Sequence, residues 1–215
     1  MPDTLTAPIT VEEVCRLAPV IPVIVVDDVA HAAPLARALV DGGLRALEVT
    51  LRTPVALDVI RAMVDAAPDA VVGAGTLLSP EDVKGAVAAG ARFGVSPGAT
   101  ARVLDATEDA GLPMLPGVAT PGEAMAAAER GLDILKFFPA EANGGVPVLK
   151  AWAAPLHHVR FCPTGGVSTA NAAEYLGLKN VICVGGSWIA PADLQRAGDW
   201  AAITERARAA AALGG

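Results

Sequence analysis

Short apolar runs alternate along the chain with longer, alanine-rich stretches. The runs fall at 20–26, 44–51, 70–74, 91–95, 113–116, 134–138, 159–162 and 181–184. Each has strand length and is bounded by Gly, Pro, Ser or Thr, so eight strands are predicted. The stretches between them, for example 29–40, 55–66, 81–89 and 121–129, have helical character. Their ends carry helix signals. Ser79-Pro80-Glu81-Asp82 offers an N-cap, a proline in the first turn and two early acids, and Gly42, Gly90, Gly111 and Gly131 are expected to terminate helices. A further helix is predicted near 10–17, before the first strand, with Thr10-Val11-Glu12-Glu13 as a capping box.

Strand–helix units therefore recur about every 20–26 residues, close to the smallest unit that a (β/α)8 barrel uses. The expected architecture is a TIM (β/α)8 barrel with an extra N-terminal helix. An open doubly wound sheet is the competing α/β fold, but eight units are many for it and no GxGxxG opens the first helix. No linker or charge block divides the chain, so 1–215 reads as a single domain.

Composition narrows the functional classes. The 215 residues are 53% hydrophobic and 18% charged, with a formal net charge of −7, which argues against disorder and against a nucleic-acid or anionic-membrane partner. The longest apolar runs stop far short of the roughly 20 residues that span a bilayer. Met1–Pro8 lacks the basic and apolar regions of a signal peptide, and Cys15, Cys162 and Cys183 are too few and too scattered for a disulfide scaffold or a zinc motif. A cytoplasmic location is the expectation. The three histidines lie away from strand C-termini, which leaves a His-ligated metal centre or a Ser-His-Asp triad without support. No metal is expected, and no organic cofactor either if a lysine supplies the electron sink. The four lysines are Lys84, Lys136, Lys150 and Lys179, and Lys136 alone falls inside a predicted strand.

In such barrels the chemistry sits at the C-terminal ends of the strands. The second strand ends Glu48-Val49-Thr50-Leu51-Arg52, and alternation puts Glu48, Thr50 and Arg52 on one face. An inward carboxyl is costly to bury charged, which suits it to proton transfer, and Arg52 can receive a carboxylate through two hydrogen bonds. An internal Glu–Arg ion pair is the competing reading. The sixth strand, Ile134-Leu135-Lys136-Phe137-Phe138-Pro139, carries a lysine between apolar neighbours. Desolvation and a nearby cation such as Arg52 would favour its free amine, the nucleophile of Schiff-base chemistry. Pairing with a core carboxylate is the alternative. The third strand ends Gly73-Ala74-Gly75-Thr76, whose hydroxyl can donate to a carboxylate. The fourth ends Ser96-Pro97-Gly98, either a turn or a lining segment. The seventh and eighth end in Pro163-Thr164-Gly165-Gly166 and Val184-Gly185-Gly186-Ser187, where glycine backbone and the following helix N-termini are expected to hold an anion.

Together, in this order, these motifs closely resemble the 2-keto-3-deoxy-6-phosphogluconate (KDPG) aldolase family, class I aldolases of the Entner–Doudoroff pathway. The resemblance rests on Leu47–Thr53, Gly73–Thr76, Lys136-Phe137-Phe138-Pro139-Ala140-Glu141, Pro163–Gly166 and Gly185-Gly186-Ser187, and extends over nearly the whole chain. It implies that Lys136 forms the Schiff base, that Glu48 transfers protons and that Arg52 and Thr76 hold the pyruvate carboxylate. It further implies that Phe138, Pro97 and Thr164 line the substrate and that Gly165, Gly166, Gly186 and Ser187 hold its phosphate. The substrate would be a phosphorylated keto acid, cleaved to pyruvate and glyceraldehyde 3-phosphate, and the assembly a homotrimer. Two other readings are a 4-hydroxy-2-oxoglutarate aldolase, or an enzyme of dual specificity, and a catalytically silent phosphosugar-binding barrel.

Overall fold

The computed structural model describes residues 9–214, so the reading of Met1–Pro8 as leaderless lies outside the described residues. Nine strands appear: β1 (Val20–Ile24), β2 (Ala46–Thr50), β3 (Val71–Gly75), β4 (Gly94–Val95), β5 (Met114–Leu115), β6 (Gly117–Val118), β7 (Ile134–Phe137), β8 (Arg160–Pro163) and β9 (Val184–Gly186). All pairings are parallel, in the orders β5-β4-β3-β2-β1-β9 and β6-β7-β8. Single bridges at Phe161–Val181 and Thr164–Gly185 link the two sheets along the β8–β9 side. The result is an α/β fold with a curled parallel sheet. The sixth predicted strand is β7 here, because the fifth is split. Pro116 has no N–H to donate and divides it into β5 and β6. The eighth run begins pairing regularly only at Val184, with Val181 making one bridge.

The helices are α1 (Val11–Arg16), α2 (Ala32–Asp41), α3 (Ala56–Ala66), α4 (Pro80–Ala88), α5 (Ala101–Asp109), α6 (Pro121–Ala128), α7 (Gly145–Trp152), α8 (Ala172–Leu176), α9 (Ala192–Ala197) and α10 (Trp200–Ala211). Several starts follow side-chain chemistry. Ser79 accepts from Asp82 N–H and places Pro80 in the first turn of α4, while Thr10 with Glu13 and Thr120 with Glu123 form capping boxes. At the C-termini Gly90, Gly111 and Gly131 adopt positive φ, as a left-handed stop requires. After α2 the positive φ belongs to Gly43. Gly42 is helical and serves close packing, since a side chain there would overlap Ala207 of α10. None of the helices among the described residues is long and apolar enough to cross a membrane.

The buried apolar side chains form two layers. One lies between strands and helices and runs from Val20 to Ala210; in it Trp152 packs edge-on against Phe137, 5.2 Å between ring centroids. The other lies inside the curl. Ile21, Ala46, Val71, Phe93, Leu115, Ile134, Cys162 and Cys183 meet Val14 and Cys15 of α1, which covers the N-terminal end. The three cysteines, distant in sequence, converge here as free thiols, so "scattered" holds only along the chain. Hydrogen bonds with Cys15 and Cys162, together with complete burial, hold the Cys183 thiol well above its usual range.

Helix α1 is tied down at its exposed side by Glu12, which accepts from Arg160 on β8 and from Arg16, both at 2.9 Å. The Arg160 hydrogen bond, then that of Arg16, lowers the Glu12 carboxyl to about 2. A depressed carboxyl contributes stability above its unfolded value, and that contribution disappears as pH falls toward the folded value. The pair is only half-buried and screened by solvent, so the contribution is small. Urea denaturation of wild type and Glu12→Gln should therefore show a shallower loss of stability in the variant between about pH 4.5 and 2; parallel slopes would refute the assignment.

Candidate functional site

The interior side chains change character toward the C-terminal ends of the strands. Below Glu48 and Lys136 they are apolar; at and above this level polar side chains and glycines join apolar ones such as Val23 and Phe138. On β2, Glu48 and Thr50 point inward, and both are buried. Thr50 donates to the Ile24 carbonyl at 3.0 Å, which pins the end of β1 to β2. On β7, Lys136 is 4% exposed and its Nζ lies 3.3 Å from Glu48 Oε1. This contact crosses the interior, because β2 and β7 belong to different sheets. The other three lysines are all exposed.

Glycine supplies the room. Gly75 is the register partner of Thr50, and any side chain there would overlap the Glu48 carboxylate. Gly117 partners Lys136 from the other side, and a side chain there would overlap the Pro97 carbonyl. Pro97 thus both turns the chain, with Ser96 donating across it to the Gly98 carbonyl, and stands beside the lysine strand. The Phe138 ring centroid lies 5.4 Å from Lys136 Nζ, so an aromatic face borders the amine.

Arg52 arrives by another route than strand alternation. Strand β2 stops at Thr50, and Arg52 sits in a turn closed by its own N–H to the Thr50 carbonyl at 2.8 Å. Its guanidinium is exposed and donates from Nε to Thr76 Oγ1 at 3.0 Å. The competing reading of a Glu48–Arg52 ion pair is not what forms: Glu48 pairs with Lys136, the carboxylate pairing given as the alternative for that lysine, and the group beside the amine is Glu48 rather than Arg52. Thr76 has φ +63°, a left-handed conformation that β-branched residues avoid. Holding a threonine there costs on the order of 1–3 kcal/mol, a kind of strain that clusters at ligand clamps.

The glycine-pair loops border the same mouth. Thr164 is buried and bridges to Gly185; a side chain at 185 would overlap the Thr164 hydroxyl. Gly165 and Gly166 have φ of +97° and +80°, a turn that side chains rarely allow. Trp188 packs over Gly186, and Ser187 between them is exposed. The expected helix N-termini do not follow directly. Helix α8 begins only at Ala172 and α9 only at Ala192, and both are short, so an anion at these loops would depend on loop backbone and hydroxyls. The structure thus gathers Glu48, Lys136, Arg52, Thr76, Pro97, Phe138, Thr164, Gly165, Gly166, Gly186 and Ser187 on one end of the sheet. His31 instead packs on Trp200, and His157 and His158 are exposed on each other.

Residues 11–206 match the family model described as KDPG and KHG aldolase. The chain belongs to that aldolase family. The KHG/KDPG aldolase of Escherichia coli K12 is 52% identical over 199 residues, 93% of each chain. A KDPG aldolase structure from Legionella pneumophila, with pyruvate captured at low pH as a covalent carbinolamine intermediate, superposes with a TM-score of 0.91. It has 46% identity and covers 93% of this chain and 97% of that one. The Zymomonas mobilis enzyme with 3-phosphoglycerate gives 0.90, 48%, 96% and 97%. As a KDPG/KHG aldolase family member, the protein is an aldehyde-lyase of the class I type.

Glu141, which sequence reasoning quoted only as part of a motif, packs behind the 165–166 loop. Its carboxylate accepts from Tyr175 on α8, and its N–H donates to the Gly165 carbonyl at 3.0 Å. Tyr175 is 34 residues away, so no local signal joins them.

The strained Thr76 gives a separable test. Thr76→Gly relieves the left-handed strain and should raise stability in urea by about 0.5–1 kcal/mol, while loss of the hydroxyl that anchors Arg52 lowers kcat/KM about ten-fold or more. Thr76→Ser, which keeps the hydroxyl, should retain most activity. A glycine variant as active as wild type would show that the hydroxyl does not serve the site.

Proposed function

We propose that this aldolase reversibly cleaves KDPG to pyruvate and glyceraldehyde 3-phosphate through a Schiff base on Lys136. The observation that carries the reading is a buried lysine 3.3 Å from a buried glutamate, in a glycine-lined opening at the strand ends. Capture of pyruvate as a carbinolamine in the Legionella relative supports the covalent chemistry.

Transfer of one proton from Nζ to Glu48 converts the ion pair into a free amine beside a carboxylic acid. The amine adds to the C2 ketone and Glu48 returns its proton to the resulting alkoxide. Glu48 then takes one proton from the nitrogen and delivers it to the carbinolamine hydroxyl, so that water leaves, the iminium forms and Glu48 is again a carboxylate. The iminium is the electron sink. Glu48, now a carboxylate, takes the C4 hydroxyl proton, the C3–C4 bond breaks and glyceraldehyde 3-phosphate departs. The pyruvate enamine is protonated at C3, and water releases pyruvate and the amine. Arg52 and Thr76 hold the carboxylate of the pyruvate half, Phe138 and Pro97 flank the imine, and Thr164 contacts the electrophile. Gly165, Gly166, Gly186 and Ser187 take the phosphate. The Zymomonas relative holding 3-phosphoglycerate supports a phosphorylated ligand at such a site.

A second substrate is favoured by a specific observation: both the family description and the Escherichia coli relative carry KHG in their names. With 4-hydroxy-2-oxoglutarate the pyruvate half would be handled identically. Comparing kcat/KM for the two substrates ranks them.

The finer architecture belongs to the same reading. The two sheets, linked at Thr164–Gly185 and continued through Pro116, are read as one closed (β/α)8 barrel, a single domain over 1–215, with α1 as an extra N-terminal helix across its base. The continuous core from Val20 to Ala210 supports one domain. We read the assembly as a homotrimer, as the family resemblance implies, and the location as cytoplasmic, which suits three free thiols. The net charge of −7 favours small anions held locally over nucleic acid.

Borohydride added with pyruvate should reduce a covalent adduct onto Lys136, located by peptide mass analysis. Lys136→Ala should lose both the adduct and KDPG cleavage, and Glu48→Gln should lower kcat by about 10²–10⁴. Circular dichroism checks that each variant folds, since removing one partner of a buried pair costs about 3–5 kcal/mol. An adduct on another lysine, or none with the folded wild type, refutes the mechanism.

A further inference from the structure

Building on the aldolase reading above, we infer that Glu141, held by Tyr175, is a positioning residue for the phosphate end of the substrate. Two loops meet at this point. One follows β7 and leads away from Lys136; the other follows β8 and contains Gly165 and Gly166. Ala140 N–H donates to the Thr164 carbonyl at 2.8 Å and Glu141 N–H to the Gly165 carbonyl at 3.0 Å, so their backbones are paired.

Side chains then fix Gly166 from both sides. On one side, the Glu141 side chain occupies the space a Cβ would take: a Cβ on Gly166 would lie 2.5 Å from Glu141 Cγ. On the other, Asn171 Nδ2 donates to the Gly166 carbonyl at 3.2 Å, while its Oδ1 accepts from Ser168 N–H at 2.8 Å. With φ of +80° and no side chain of its own, Gly166 has many alternative conformations to be held against. The Glu141 and Asn171 contacts restrict them.

Glu141 is itself exposed, and a free glutamate would sample several rotamers. Tyr175 selects one. Its ring is fully buried in α8, and its hydroxyl donates to Glu141 Oε1. If the carboxylate swung away, that buried hydroxyl would be left without this acceptor, which is unfavourable. Burial and the Glu141 bond hold the phenol above its ordinary range, so it stays a donor throughout the enzyme's working conditions. The helix that follows the glycine loop thus reaches back, through one carboxylate, to set that loop's shape.

Nothing in this arrangement touches Lys136 or Glu48. The expected signature is therefore a split between the two halves of the site. In Glu141→Ala and Tyr175→Phe, KM for KDPG should rise about ten-fold, equivalent to about 1.4 kcal/mol. Exchange of the pyruvate methyl protons with deuterated water, which needs only the Schiff-base half, should stay within about two-fold of wild type. Glu141→Gln keeps an acceptor oxygen for Tyr175 and should restore KM to within about two-fold. An unchanged KM in the exposed-site variant Glu141→Ala overturns the inference, as does a fall in pyruvate exchange matching the rise in KM, or a Glu141→Gln variant as impaired as Glu141→Ala. If Tyr175→Phe does not fold, Glu141→Ala and Glu141→Gln decide alone. A wild type that neither exchanges pyruvate protons nor cleaves KDPG is a separate outcome, sinking the aldolase reading and this inference with it.

Discussion

A lysine and a glutamate buried against each other are an expensive choice for a protein interior. Removing each charge from water costs several kcal/mol, and their attraction recovers this only when the geometry is good. Apolar residues of similar size would hold the fold at least as well. Here the two sit on β2 and β7, in different sheets, and meet across the interior at 3.3 Å. The pair therefore depends on the curl of the sheet. Much of the neighbouring sequence can be understood as making that pair possible. The apolar plug of Ile21, Phe93, Leu115 and α1 closes the end below it, and glycines at 75 and 117 leave space above. A pair related by one proton transfer is a reactive unit as well as a structural one, because moving that proton makes both partners neutral at once and leaves a free amine beside an acid.

Anion binding at this mouth has to work without a basic surface. The chain carries −7, and the cation at the rim is Arg52, which donates to a threonine in a strained conformation. The rest is polypeptide backbone bent into shapes that glycine permits. Such backbone binds an anion only if its shape is kept, since flexible glycines would have to be ordered at the moment of binding. That requirement explains why so many contacts around Gly165 and Gly166 are directed at the loop itself. Conserving charge and spending hydrogen bonds on shape is a consistent solution for an acidic protein with an anionic ligand.

Strand alternation was sufficient to place Glu48 and Thr50 inward, and the apolar flanks of Lys136 were sufficient to mark it as buried. Those are period-two signals, and they are legible because a half-buried strand leaves no freedom about which face is which. Arg52 reached the predicted neighbourhood for a different reason: β2 had already ended, and a turn directs it toward Thr76. Pro116 shows the same limit, since the run 113–116 looks like one strand's end while the pairing resumes at Gly117. The helix dipoles expected behind the glycine pairs failed because composition does not reveal that α8 and α9 are short and start late. Cys15, Cys162 and Cys183 converge only through the curl of the sheet, which no local window contains.

The Glu141–Tyr175 contact belongs to that last class and clarifies how the two ends of the mouth relate. The lysine strand ends in a loop whose backbone is paired with the glycine loop of the next strand. The amine's position is set within β7 by its strand neighbours, and the segment that follows it, residues 138–141, carries that register to the glycine loop. Neighbouring parallel strands supply the register, Lys136 opposite Cys162 and Phe137 opposite Pro163, and the loops continue that register beyond the sheet. On the proposed reading, a substrate that presents its ketone to Lys136 while its far end meets Gly166 would be held by a ruler made of main chain. Side chains such as Tyr175 act on that ruler from outside the mouth, which leaves the space inside it free for the ligand.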